Sequence, residues 1–153
     1  MPYGMQENDK IKRSYLETVS SNTILYTNAT QMFLLIFNIF LCIAFIGFAW
    51  VNLNDKDAWL WVSIYGIPAA LCGLAVFKKY FPGIYLAIAG LCLIYAISIF
   101  FSKDGVKDWI QKYKAPSLVE SMKATKPYIE KAREFFGLLI VVAVMLVNYF
   151  LTR

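Results

Sequence analysis

The densest run of chemistry-bearing side chains is Asn52-Leu53-Asn54-Asp55-Lys56-Asp57-Ala58-Trp59-Leu60-Trp61. Carboxylate and amide oxygens at such spacing are the ligands that a hard cation or a polar headgroup takes. The same residues also serve a purely local purpose. Asn54 and Asp55 favour turns by bonding to nearby backbone. Asp57 suits the N-cap of a following helix, where its carboxylate accepts from free N–H groups and its charge matches the positive helix end. A calcium loop has more oxygen ligands at defined spacing than this turn supplies. Capping is therefore the favoured role, and no metal is expected. Asn54, Asp55 and Asp57, with Trp61 and Tyr65 behind them, form the candidate polar, cation-binding or capping motif.

Elsewhere chemistry is sparse. The 153 residues include no histidine. That excludes imidazole-based triads, proton relays and histidine-ligated metals. The three cysteines, Cys42, Cys72 and Cys92, form no CxxC pair and lie in apolar surroundings, where cysteine behaves as a small apolar residue. No cofactor is expected, and no nucleic-acid motif is present. A pI near 9.1 reflects scattered lysines, which at most attract anionic headgroups.

The elements that hold these residues are set by where charge is absent. Only 16% of the chain is charged and 59% is apolar, against about 25% and 45–50% in soluble domains. Four windows carry no charge at all: 32–51, 58–77, 82–101 and 135–151. A hydrocarbon core about 30 Å thick needs about 20 helical residues. The prediction is an all-α integral membrane four-helix bundle, with a polar N-terminal tail over 1–31 and connecting segments at 52–57, 78–81 and 102–134. The tail reads as a short helix lined by Ile11, Tyr15 and Val19, or equally as a loose segment ordered by a partner. No signal peptide is indicated, so the first span serves as its own insertion signal.

An even number of spans puts both termini on one side of the membrane. All four tryptophans, Trp50, Trp59, Trp61 and Trp109, then fall on the other side, where indole rings mark the interface. Tyr80, Tyr85 and Tyr149 would mark the opposite interface. Lysine and arginine number six on the terminal side and nine on the loop side, too even a split to settle orientation.

The third connection is long enough to hold structure. Val106, Trp109, Ile110 and Tyr113 share a helical face. Ser117 and Glu120 match a capping box opening a second short helix through Leu118, Val119 and Met122. Pro127 and Glu130 suit the first turn of a helix running on into the fourth span. Such amphipathic surface helices either cover the bundle or dock a partner.

Within lipid, helices associate through small residues and a few polar contacts. The pairs Gly66/Ala70 and Ala69/Gly73 in the second span, and Gly83/Ala87 and Cys92/Ala96 in the third, predict that these two spans meet across their small faces. Pro68 should kink the second span. Asn38 and Asn148 lie at similar depth and are expected to bond to each other or to backbone. No acid, lysine or arginine lies at depth, which argues against an ion-coupled transporter.

The segment Asn54-Asp55-Lys56-Asp57-Ala58-Trp59-Leu60-Trp61, followed by Tyr65-Gly66-Ile67-Pro68-Ala69, resembles the signature of the transmembrane protein 220 family. Members are small four-helix membrane proteins whose first loop reads Asn-Asp-Pro-Asp, with a tryptophan and a tyrosine in the helix that follows. Asn54, Asp55, Asp57, Trp61 and Tyr65 fall on those positions, and Lys56 replaces the proline. Arg133-Glu134-Phe135-Phe136-Gly137-Leu138-Leu139-Ile140 is similar to the family's entry into its last helix. The resemblance spans about residues 32–151 and implies the fold, with no particular activity; the 30-residue tail reads as an addition to it. The expected function is non-enzymatic: an accessory or structural subunit packed in the bilayer against other membrane subunits, with the bacterial inner membrane as its expected location. The alternative is a small passive carrier, or a lipid- or cation-binding membrane protein, using the first-loop motif.

Overall fold

The computed structural model describes residues 3–118 and 126–153. Its helices are α1 (Tyr3–Val51), α2 (Ala58–Val76), α3 (Pro82–Phe101), α4 (Val106–Gln111) and α5 (Pro127–Thr152). No strand occurs among the described residues. Helices α1, α2, α3 and α5 are each long and apolar enough to cross a membrane, so the all-α membrane bundle stands. Of the second helix foreseen through Leu118, Val119 and Met122 behind a Ser117–Glu120 capping box, all but Ser117 and Leu118 lies in 119–125, outside the described residues.

The four long helices form two antiparallel pairs, α1 with α2 and α3 with α5. Contact between the pairs is much thinner and runs mainly through α5, which touches both α2 and α1. The predicted meeting of the α2 and α3 small faces does not occur. Gly73 of α2 faces α1, where a Cβ would sit 3.7 Å from the Cys42 Sγ. Gly83 and Ala87 lie on the exposed side of α3. The buried stripe of α3 is instead Tyr85, Ala89, Cys92, Ala96 and Ile99. Its spacings of four and three residues draw one seam along the helix. Small residues in that seam make room for Leu138, Val141, Val142 and Met145 on the buried face of α5. Large-into-small packing of this kind is what holds helices together in lipid, and α5 offers larger partners than α2 does.

The link from α2 to α3 turns by a Schellman motif. The Lys79 N–H donates to the Leu74 carbonyl at 3.0 Å and the Lys78 N–H to the Ala75 carbonyl at 2.9 Å. Lys78 takes the left-handed conformation, φ 59°, at the position where glycine is usual. Pro82 then occupies the first turn of α3, where its missing N–H leaves no bond unmade. Pro68 lies inside α2 without ending it.

The segment before residue 32 is not a separate tail. It is helical from Tyr3 and continuous with the first span. The physical reason lies partly in its threonines. Thr18, Thr23, Thr27 and Thr30 each turn their hydroxyl onto the carbonyl four residues back, at 2.8–3.0 Å, so their polar atoms are satisfied within the helix. At about 1.5 Å per residue, the 49-residue α1 is far longer than a bilayer crossing, and about 40 Å of it stands outside.

The segment 102–116, with α4 inside it, is tied to itself and to α5 at several points. The Tyr113 and Tyr128 rings stack with centroids 3.8 Å apart. Trp109 meets Phe136 edge-on, and its indole N–H donates to the Pro116 carbonyl at 3.2 Å. The Lys131 ammonium donates to the Ser102 hydroxyl at 3.1 Å and to the Lys103 carbonyl. Of the predicted amphipathic face, Val106 is buried, Trp109 and Tyr113 are half-buried, and Ile110 is exposed.

Candidate functional site

The first loop is built on backbone bonds. The Asp55 N–H donates to the Asn52 carbonyl and the Ala58 N–H to the Asp55 carbonyl, both at 3.2 Å. The Asn52 side chain donates back to the Phe48 carbonyl at 2.7 Å, which closes the end of α1. Asn54, Asp55 and Lys56 are exposed on this turn. They shape it and stand apart from the groups clustered below.

Asp57 occupies the N-cap position of α2, but its carboxylate makes no capping bond. It accepts instead from the Trp61 indole N–H at 3.0 Å. Its backbone, φ −113° and ψ 33°, departs from the extended conformation that aims a capping side chain at the helix end. One turn further on, an indole has brought a single strong donor within reach. The first-turn carbonyl bond is still made, with the Leu60 N–H donating to the Asp57 carbonyl at 2.9 Å. Trp61 is thereby drawn inward and is 2% exposed, whereas Trp50 and Trp59 are 73% and 76% exposed. Trp61 is thus a core residue rather than part of an interface belt. Tyr85, expected at the opposite interface, is also wholly buried.

Below Asp57 the aromatic rings continue. Trp61 stacks on Tyr65 with centroids 6.1 Å apart and meets Tyr95 of α3 at 6.2 Å. Tyr65 in turn contacts Phe45 and Phe48 of α1 at 6.3 and 5.5 Å. From the other side comes α5. Gly137 leaves the space that the Tyr65 hydroxyl fills, and any Cβ at that position would overlap it. Glu134, one turn before Gly137 and immediately before the uncharged span 135–151, lies within electrostatic range of Tyr65, Tyr95 and Asp57. Burial pushes its carboxyl up to about 7, and the negative charges of Glu130 and Asp57 add to the effect against the opposing pull of Lys131 and Arg133.

The site therefore joins all four long helices toward one end of the bundle: Asp57, Trp61 and Tyr65 from α2, Phe45 and Phe48 from α1, Tyr95 from α3, and Glu134 and Gly137 from α5. Of the predicted motif, Asp57, Trp61 and Tyr65 come together, and Asn54 and Asp55 do not join them. Tyr95 was not singled out in the sequence, and Glu134 and Gly137 entered only within the segment similar to the family's last-helix entry, not as site residues. A usable signal existed: a lone acid followed three residues later by glycine places a carboxylate and a gap on one helix face at the membrane entry. Chemically, the cluster offers one hydrogen-bonded carboxylate and one desolvated carboxyl that exchanges a proton near neutral pH. Among the described residues, no group of three His, Cys, Asp or Glu is placed to hold a metal ion.

A second polar contact joins the pairs nearer the other end. The Asn38 side-chain amide donates to the Asn148 Oδ1 at 2.9 Å, and both residues are fully buried. Each amide also donates to the carbonyl four residues back, Leu34 at 2.9 Å and Val144 at 3.2 Å. The predicted asparagine pair is thus present, binding to each other and to backbone together.

No curated protein and no solved structure matches the chain. The profile described as Transmembrane family 220, helix, matches residues 44–150. That match covers the first-loop motif, the aromatic stack, the Glu134–Gly137 face, the second and third spans whole and nearly all of the fourth, and by it the chain belongs to transmembrane family 220.

Proposed function

We propose that this membrane protein is a non-catalytic accessory subunit of a larger membrane assembly, and that the outer part of α1 is its principal contact. The observation that carries the reading is the apolar surface on that helix. Ile11, Tyr15, Leu16, Val19, Leu25 and Tyr26 are all exposed, with Tyr15 at 69% and Tyr26 at 77%. Ile11, Tyr15, Leu16 and Val19 lie about 20 Å or more before residue 32 along the helix, and an apolar surface exposed to water marks an interaction site. A rigid helix continuous with a span would carry that contact without a hinge. In this reading the protein is a multi-pass protein of the bacterial inner membrane with both termini on one side, as an even number of spans requires.

The test is isolation of the full chain from its native membrane in mild detergent. The wild type is expected to carry a defined set of membrane proteins. Tyr15→Lys with Val19→Lys is expected to lose them while keeping the helical content. Recovery of the wild type as a free chain, or retention of the same companions by the double variant, overturns the reading.

A second reading has its own support. Glu134 and Asp57 place two carboxyl groups at the membrane surface beside an aromatic stack, which suits a small carrier or a lipid- or cation-binding protein. Thermal stability with calcium or magnesium tests it: a shift abolished by Asp57→Asn and Glu134→Gln supports it, and no shift refutes cation binding.

A further inference from the structure

The small-residue face of α2 does not close against α1 along its whole length. Between them lies a groove of about 430 Å³ whose lining is almost wholly apolar, within the 300–1,000 Å³ usual for ligand sites. Cys42, Ile46 and Trp50 form one wall and Gly66 and Gly73 the other, with Leu53 at the loop end. A Cβ on Gly66 would meet nothing within 4 Å, whereas one on Gly73 would reach ordinary contact with Cys42. The groove is therefore open beside Gly66 and narrows to closure at Gly73.

Its length and position specify what fits. From Trp50 to Cys42 along α1 is about 12 Å, and from Val62 to Gly73 along α2 is about 16 Å. Half of a hydrocarbon core of about 30 Å is the same distance. The groove runs from Leu53 at the loop end to the Cys42–Gly73 contact, a length comparable to one leaflet. The turn leading away from Leu53 exposes Asp55 and Lys56 side by side. An adjacent anion and cation complement the ammonium and phosphate of a zwitterionic headgroup. We infer that this groove holds one acyl chain of a zwitterionic phospholipid, retained with the protein, with Lys56 toward its phosphate and Asp55 toward its amine. Helices α1 and α2 would flank the chain on two sides. The site is separate from the α1 projection and from the Asp57–Glu134 cluster.

The experiment is native mass spectrometry of the full chain released from nanodiscs of phosphatidylethanolamine and phosphatidylglycerol in equal parts. The wild type is expected to keep one phosphatidylethanolamine per chain. Gly66→Phe and Ala70→Phe each place a ring in the groove and should cut the lipid-bound fraction about tenfold, equivalent to about 1.4 kcal/mol of lost affinity. Leu91→Phe, on an exposed face of α3, should leave it unchanged. Asp55→Lys should shift retention toward phosphatidylglycerol. Circular dichroism identifies any variant that fails to fold, and the two groove variants are independent of each other. The inference is overturned if the wild type keeps no lipid. It is also overturned if a folded groove variant keeps as much as the wild type, if Leu91→Phe loses as much, if the retained lipid is a free fatty acid, or if the groove variants dissociate a dimer of this chain instead.

Discussion

Gly137→Ala measures whether the two helix pairs dock as described. The added methyl group lies where the Tyr65 hydroxyl sits, and the next ring atoms, Cζ and Cε1, are 3.2 and 3.7 Å from it. A phenol ring stacked between Trp61 and Phe45 has little room to swing away. Overpacking of this kind costs about 1–3 kcal/mol. Against it stands the gain from replacing glycine with alanine inside a helix, about 1 kcal/mol. The net expectation is a loss of up to about 2 kcal/mol in the wild-type background. In Tyr65→Phe the hydroxyl is gone, and the Cζ contact is relieved by a few tenths of an ångström. There Gly137→Ala should be neutral or stabilising by up to about 1 kcal/mol, leaving a coupling near 2 kcal/mol between the two sites. A double-mutant cycle by denaturant unfolding in one fixed detergent reads this directly. Equal effects of Gly137→Ala in both backgrounds, or a gain in the wild type, would show that α2 and α5 do not meet at this point.

Three further outcomes follow from the same structure. Asn38→Leu alone should destabilise by about 1 kcal/mol, the usual size of an interhelical polar contact in membranes, and adding Asn148→Leu should recover part of the loss because no buried amide then lacks its partner; unfolding of the single and double variants measures this. Lys78→Gly should stabilise by about 1 kcal/mol in the same assay, since the left-handed position strains any residue with a Cβ. Glu134 is raised from its ordinary value to about 7, so its favourable contribution is complete below about pH 4.5 and is lost as pH rises through 7; Glu134→Gln should therefore match the wild type at pH 4.5 and exceed it at pH 8 by about 1 kcal/mol after solvent screening, and equal stability at both pH values would refute the burial of that carboxyl.

The spans were legible because burial in lipid forbids charge, and a window without charge is visible residue by residue. The Asn38–Asn148 pair was legible for a related reason: few polar groups lie at depth, so their partners are few. Pairing of the helices was not. Gly66, Ala69 and Gly73 in α2 look no different as a sequence from Ala89, Cys92 and Ala96 in α3, and the choice rests on which neighbour supplies large side chains. The inward turn of Trp61 was hidden for a different reason. Interface tryptophans are common, and only the backbone at Asp57 decides that its carboxylate reaches an indole rather than a helix end. Residues 8–31 were ambiguous because serine and threonine favour loops until their hydroxyls find carbonyls one turn back, which a continuous helix provides.

Packing within each pair and packing between pairs obey different physics here. Along α1–α2 and α3–α5 the helices share long seams, where many small dispersion contacts add up. Between the pairs the shared surface is narrow, and apolar contact gains little when lipid tails offer the same surroundings. A narrow junction in that solvent needs directional or shape-specific contacts to have one geometry. The junction has both kinds: an amide pair, Asn38 with Asn148, and, beside the Trp61–Tyr95 ring contact, a keyed fit of Tyr65 into the gap at Gly137. They lie toward opposite ends of the bundle, so removing one leaves a pivot at the other, whereas removing both frees the pairs to slide. Asn38→Leu combined with Tyr65→Ala should therefore leave each pair folded and helical while cross-linking between cysteines placed on α1 and α5 becomes non-specific in register. Retention of a single cross-linking register in that variant would show that apolar contact alone fixes the junction.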